Sequence, residues 1–361
     1  MKGKQFLAAV SVLAMAVPLA GLWAQTGAAA SHAGKGFVIG FANGYIGNSW
    51  RTQMVADVEQ VAKPYEKMGL VKRVIVENTN NDLATQISQI QDMINSGVNA
   101  IIVDAVSPAA VAPVLNRARA KGILVIGTDN GVIDPKATNV IFDQGKWAAI
   151  SAAWVFRKMG YKGNLLAVNG LAGQAANTIR WNAVKALLKK HPKIHLLQQV
   201  YGSWDEAAAK QAVSSVLSSY PSIQGVWSQD GMDIGVIQAF QAAGRKLPIT
   251  ATDDNLAFLR LWNSMRPKGF SSISVFNPPG IGADAFLVAV RLLLGWKLKP
   301  ADIHPNPIAP SEKNTVLVEP TLVVTNHNLS AVLKRYRGKP GSYYIDGWLT
   351  VKQVDSLFVG H

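Results

Sequence analysis

The sequence predicts an α/β protein made of two doubly wound parallel sheets. Two observations carry that prediction. Between residues 36 and 254, short apolar runs alternate with amphipathic stretches of helix length, and the links between them are brief. Helix-sized crossovers between consecutive strands make those strands parallel. The rhythm also breaks once, between Val140 and Lys146, and then starts again, so the chain holds two similar units. Its 361 residues are enough for two domains that need no covalent staples.

In the first unit, GFVIGFA (36–42) reads as a strand and residues 50–67 as a helix. VKRVIVEN (71–78) is a second strand. DLATQISQIQDMINSG (82–97) is a helix stopped by Gly97. NAIIVDA (99–105) is almost continuously apolar, the mark of a parallel strand buried on both faces. SPAAVAPVLNRARAKG (107–122) enters a helix on Ser-Pro and leaves it on glycine, and ILVIGTDN (123–130) is the next strand.

The second unit repeats the pattern. Helix 147–160 precedes strand 162–170, helix 175–192 precedes strand 194–202, and helix 205–221 precedes strand 223–231. Helix 232–244 and strand LPITATDD (247–254) follow. PPGIGADAFLVAVRLLLG (278–295) is a turn and a long apolar helix. From about 300 the periodicity weakens, and VLVEPTLVVT (316–325) reads equally as a strand or a crossover.

The N-terminus has the three parts of a secretory leader. MKGKQ carries two lysines, Phe6–Ala24 is apolar, and a small, polar stretch follows. Ala24 and Ala30 are the candidate cleavage positions. The apolar run approaches membrane-spanning length; Pro18, Gly21 and the alanine-rich exit favour cleavage. A signal over 1–30 and a periplasmic location are expected.

Composition removes several function classes. The chain has no cysteine, so disulfides, thiolate catalysis and Cys-ligated zinc are excluded. The net charge is +14, from 36 basic and 22 acidic side chains. These lysines and arginines are scattered, with KKHPK (189–193) and KRYRGK (334–339) the densest runs, and no nucleic-acid motif accompanies them. No nucleic acid partner is expected. Glycines 44 and 47 in NGYIGNSWR, and 170 and 173 in GLAGQAANT, fit neither a dinucleotide nor a triphosphate loop. No GxSxG elbow occurs, and His191, His195, His304 and His327 are dispersed. No catalytic residue, cofactor or metal is expected.

Open parallel sheets bind ligands beyond the C-terminal ends of their strands. The residues at those ends are carboxylates, amides, aromatics and an arginine, a set suited to a sugar: polar groups share hydrogen bonds with hydroxyls, and rings cover C–H faces. Each also has a plainer role. Asp129 fits an Asx turn and Asp230 a helix N-cap. Trp50 and Trp204 fit as helix covers, Arg180 as a solvated helix residue, and Tyr45 as a ligand or hinge contact. Arg51 has no assigned partner.

The segments NGYIGNSW, ISQIQDMINSGVNAIIVDA, GLAGQAANTIRWNAV, PSIQGVWSQDGMDIGVIQAFQAAG, ITATDDN and NPPGIGADA stand in an order that resembles the periplasmic sugar-binding proteins of ATP-driven importers, in particular the ribose/galactose class with the type I fold. The likeness runs from about Lys35 to about Asn326. It implies two lobes joined by three crossovers: residues 35–142 plus 277–318, and 143–276 plus 319–328. Residues 329–361 form an extension expected to pack on the lobes or the hinge. It implies ligand contacts at Asn48, Trp50, Asp129, Asn130, Thr178, Arg180, Trp204, Asp230, Asp253 and Phe276.

This chain departs from the ribose type. That type has Asp-Arg at Asp129-Asn130. Its helix arginine falls on Thr178, two residues before Arg180; its asparagine falls on Asp230 and its final glutamine on Phe276. Ribose itself is therefore not assumed. The implied function is capture of a monosaccharide or polyol by a monomeric, non-enzymatic receptor that delivers it to an inner-membrane permease. A receptor for a non-sugar polar ligand feeding a sensor or chemotaxis partner, and a sugar- or nucleoside-acting enzyme, stay open as alternatives. Sugar-responsive repressors share the fold, but the leader and the lack of a DNA-binding domain argue against one.

Overall fold

The structure, a computed structural model, describes residues 36–360; the expected leader lies outside the described residues. The first lobe opens with β1 (Phe37–Asn43), α1 (Ser49–Lys67), β2 (Val71–Asn78), α2 (Leu83–Asn95), β3 (Ala100–Asp104), α3 (Ala112–Ala120), β4 (Leu124–Thr128) and β5 (Thr138–Phe142). The five strands are parallel, in the order β2-β1-β3-β4-β5. Every residue of β3 is buried, which matches an apolar run that ends only at Asp104. Asn43 pairs in register with Asn78 and Asp104, so three strand ends finish at one edge.

One helix start differs from the Ser107-Pro108 expectation. Residues 108–111 form turns, and α3 begins only at Ala112. Pro113 explains this: without an N–H, proline is tolerated in a helix only within the first turn.

The second lobe follows with α4 (Gln144–Lys158), β6 (Gly163–Asn169), α5 (Ala175–Lys190), β7 (Ile194–Tyr201), α6 (Glu206–Leu217), β8 (Gly225–Ser228), α7 (Asp233–Ala242), β9 (Ile249–Ala251), α8 (Leu256–Met265) and β10 (Ser274–Val275). Its sheet is parallel in the order β7-β6-β8-β9, and a bridge between Thr252 and Ser274 carries it on to β10.

The chain then returns to the first lobe as α9 (Ile281–Leu293) and a hairpin, β11 (His304–Asn306) and β12 (Ala309–Val318). β12 joins the first sheet parallel to β5, while β13 (Val323–Val324) pairs antiparallel with β10 of the second lobe. VLVEPTLVVT is thus both things at once: its first three residues end a strand of one lobe, and its last part is a strand of the other. The main chain passes between lobes near 142, 277 and 318. Last come α10 (Leu329–Arg335), packed on α8, and α11 (Val351–Asp355), packed on α9.

α9 is buried almost all round because it is covered from several sides, by α1, the sheet and α11. A Cβ on Gly282 would come within 2.8 Å of Met54 Cγ, so glycine sets how closely α1 and α9 approach. Phe286, Leu287 and Val290 are fully buried there, each contributing roughly 1.5–3 kcal/mol by removal from water. Against this rigid floor, the strand ends of both lobes face each other.

Candidate functional site

The facing strand ends enclose a space of about 370 Å³, mouth included, lined by Asn48, Trp50, Arg51, Asp129, Ala176, Arg180, Trp204, Asp230, Asn277 and Tyr344.

Loop β1–α1 supplies one wall. Asn48 caps α1, its side-chain oxygen accepting from Arg51 N at 3.0 Å. Capping aims Trp50 and Arg51 inward. Trp50 Nε1 donates to the Asn277 carbonyl at 2.8 Å, and the Arg51 guanidinium lies 4.9 Å from the Trp50 ring centre.

Arg51 is buried, and it is held by two carboxylates. Nη1 meets Asp104 Oδ2 at 2.6 Å and Nη2 meets Asp129 Oδ2 at 2.5 Å. Burial opposes its charge, but Asp104 and Asp129 together raise its pKa further. Burial pushes Asp104 up to about 6, against the pull of Arg51. Asp129 sits just past β4 with φ 49°, a left-handed conformation that aspartate tolerates better than most residues.

The opposite wall mirrors this one. The Arg180 guanidinium lies over Trp147, 4.1 Å from the ring centre, and pairs through Nη2 with Asp230 Oδ2 at 3.2 Å. Its Nε donates to Gln144 Oε1 at 2.7 Å, and Gln144 Nε2 reaches Asp129 Oδ1 at 3.4 Å. Asp230 Oδ2 also accepts from Asn277 Nδ2 at 2.8 Å. Burial raises Asp230 to about 6, opposed by Arg180 and Asn277. A continuous ring therefore runs Trp50–Arg51–Asp129–Gln144–Arg180–Asp230–Asn277 and back to Trp50, through both lobes and the hinge.

Trp204 completes the wall in an uncommon conformation, φ 56°, which costs an L-residue roughly 1–2 kcal/mol. Gly170 makes room for it: a Cβ there would fall 2.0 Å from the indole. Trp204 Nε1 donates to Gln229 Oε1 at 3.0 Å, which fixes the ring over the strand ends.

The lobes touch. Gln174 Nε2 donates to Asn81 Oδ1 at 2.7 Å, and Ala176 N, in the first turn of α5, donates to Asn130 Oδ1 at 3.3 Å. This is a closed arrangement.

Six of the ten expected contacts line the space: Asn48, Trp50, Asp129, Arg180, Trp204 and Asp230. The other four lie elsewhere. Asn130 is a brace, its side chain donating to Asp104 and accepting from Ala176. Thr178 is exposed and donates to Gln174 O on its own helix, so the arginine two residues on takes the inward direction. Asp253 is buried behind Asp230, accepting from Asn255 N, with burial raising it to about 7. Phe276 packs with Ile237, Leu256 and Phe258. In extended chain, neighbours point to opposite sides, so Asn277 is the residue that faces the space. Tyr45 does not line it; its ring lies over Gly47.

Four lining residues were not among the expected ten. Arg51 had a visible signal, a charge next to Trp50 in the first strand-end loop. Asn277 had one too, standing beside Pro278-Pro279 at a strand end. Ala176 and Tyr344 had none. Among the described residues no cluster of three His, Asp or Glu side chains is arranged to hold a metal.

Two parallel-sheet lobes, three passes between them and a polar, aromatic-walled cleft at the strand ends define a solute-binding receptor. A family model described as periplasmic binding protein domain matches residues 39–297, and the chain belongs to that family. It is 28% identical over 286 residues to the xylitol-binding protein of Mycolicibacterium smegmatis, covering 74% of this chain and 80% of that one. It is 24% identical over 267 residues to the ribose import binding protein of Bacillus subtilis, covering 73% and 84%. The fold is similar to the crystal structure of an ABC transporter solute binding protein from Thermobispora bispora, with TM-score 0.78, 25% identity and coverage of 89% and 94%.

Proposed function

We propose that this chain captures a monosaccharide or polyol in the interlobe cleft and delivers it, unchanged, to the permease of an ATP-driven importer. One observation carries the reading. Asp230 Oδ1 and Asn277 Oδ1, both on the wall, are buried and accept no hydrogen bond from the protein. Each unmade bond of this kind costs roughly 1–3 kcal/mol. Both stand where a ligand hydroxyl can donate to them. They call for a neutral molecule rich in hydroxyl donors, while Arg51 and Arg180 serve its oxygens and Trp50 and Trp204 its C–H faces.

Relatives whose names specify xylitol and ribose support this ligand class. The leader-like N-terminus supports a periplasmic site of action. A receptor needs no reacting group, and the ring ties its carboxylates to arginines rather than leaving an acid/base pair free.

The test is a calorimetric and thermal-shift panel of pentoses, hexoses, polyols, nucleosides and amino acids. A sugar or polyol should raise the melting midpoint by several degrees through mass action, and mass spectrometry should recover it intact. Binding of only amino or carboxylic compounds would sink the ligand class, and chemical conversion would sink the receptor reading.

A further inference from the structure

The C-terminal extension does more than cover the lobes. Segment 341–347 lies across both of them at the edge of the cleft. On the second lobe, Ala257 N and Leu256 N donate to the carbonyls of Gly341 and Tyr343 at 2.8 and 2.9 Å, and Ile345 N donates to Asp254 O at 3.1 Å. On the first lobe, the Gln53 side chain of α1 accepts from Tyr344 N at 3.0 Å and donates to Tyr344 O at 3.2 Å. Asp346 adds bonds from Gln53 Nε2 at 2.9 Å and from Gly280 N at 3.0 Å. Successive residues thus bond to opposite lobes, as the alternation of an extended chain allows.

The residue at the middle of this strap is Tyr344. Its main chain is fixed to the first lobe by Gln53, yet its side chain is buried, 4% exposed, and lines the cleft. Its hydroxyl lies at Gly231, where a Cβ would stand 3.0 Å away, directly after Asp230. Burial, with Asp253, Asp230 and Asp254 nearby, outweighs a side-chain hydrogen bond with Asn255 and holds the phenol well above its ordinary pKa, so it stays a neutral hydroxyl.

The geometry points to Tyr344 as a ligand-contacting, specificity-determining residue, delivered into the cleft by a C-terminal strap that ties the two lobes together. The inference rests on the receptor reading above and deepens it. A ring fixed by bonds to both lobes narrows the cleft from the hinge side. Its hydroxyl adds an uncharged donor and acceptor to a wall that otherwise offers carboxylates, amides and guanidinium groups. The strap therefore selects among hydroxylated ligands of similar size by where their hydroxyls meet that phenol.

The experiment titrates the full-length protein and its Tyr344→Phe and Tyr344→Ala variants with every panel compound that binds the unsubstituted chain. Tyr344→Phe keeps the ring, and its unliganded melting midpoint should stay within a few degrees. It should change the ratio of affinities among two or more hydroxylated ligands at least threefold. Tyr344→Ala should weaken the best ligand at least tenfold. Unchanged affinities and an unchanged ratio in both variants would overturn the role of Tyr344 while the receptor reading stands. If the unsubstituted chain binds only non-sugar compounds, the ligand class fails, and a tenfold loss or an unchanged affinity for that compound in Tyr344→Ala still decides the role of Tyr344.

Discussion

Arg51 and Asp129 meet at 2.5 Å between side chains that are each about 95% buried, with Asp104 on the other arm of the same guanidinium. Three charges are thus held out of water on one wall of the cleft. Removing the cation strands two carboxylates, and breaking a buried pair in this way costs about 3–5 kcal/mol. Arg51→Ala should lower unfolding stability by that amount in a denaturant titration. Arg51→Lys should recover only part of it, because an ammonium lacks the forked reach to two carboxylates. A loss under 1 kcal/mol in Arg51→Ala would show that the wall rearranges around the gap.

Asp129 also faces the ligand. Asp129→Ala should weaken sugar or polyol binding by several kcal/mol, since it frees one arm of Arg51 and removes an acceptor from the wall. Calorimetry against the best panel ligand measures it, and an unchanged Kd would remove Asp129 from the site.

Gly170 and Trp204 make a steric prediction. A methyl at Gly170 would lie 2.0 Å from the indole, so Gly170→Ala must push Trp204 away from Gln229. Overpacking of this kind costs about 1–3 kcal/mol. The variant should lose stability by that amount and bind its ligand more weakly. Unaltered stability and affinity would mean that the indole has another place to go.

The buried carboxylates predict a pH dependence. Asp230 and Asp253 have folded-state pKa values raised to about 6 and about 7, chiefly by burial, and Asp57, buried near Asp346, is raised to about 9. A raised acid binds more protons folded than unfolded. Its stabilising contribution is complete below the unfolded value near 4 and is lost as pH rises through the folded value. Unliganded melting temperature should therefore receive a falling contribution from about pH 4 to pH 7, with Asp57 extending it towards 9. Asp230→Asn should flatten the part between 4 and 6. Affinity should move the other way, rising as Asp230 ionises and becomes a better acceptor for ligand hydroxyls. An Asp230→Asn curve parallel to that of the unsubstituted chain would contradict the assignment.

The bond from Gln174 to Asn81 joins the lobes directly at 2.7 Å. Asn81→Ala should remove about 1 kcal/mol from the closed state. Ligand release should quicken about fivefold in stopped-flow traces, and small-angle scattering should show a larger mean radius without ligand. Identical release rates would place the closing energy elsewhere.

Most of the strand and helix order was legible because it is written locally. A buried parallel strand such as β3 shows as a short apolar run, and a helix such as α2 shows as a cap and a glycine stop. Asp129, Asp230 and Trp50 could be read for the same reason: a strand end marks them. β5 was missed because Thr138–Phe142 runs into the apparent break, and of the β11–β12 hairpin only the end of β12 lay in a stretch read as a strand or a crossover. The resemblance implied Phe276, while Asn277 is the residue that lines the space, and in extended chain one residue is the whole difference between the two sides.

By itself, the sequence determined the two-unit α/β plan and the supply of carboxylates, amides and aromatics at the strand ends, because period, caps and turn residues act over a few positions. Only the tertiary structure decided how those groups pair. Arg51 finds Asp104 and Asp129 at separations of 53 and 78 residues, and Gln53 binds Tyr344 across 291. Such contacts leave no local pattern, since they depend on where three passes between the lobes and one C-terminal strap bring the chain back.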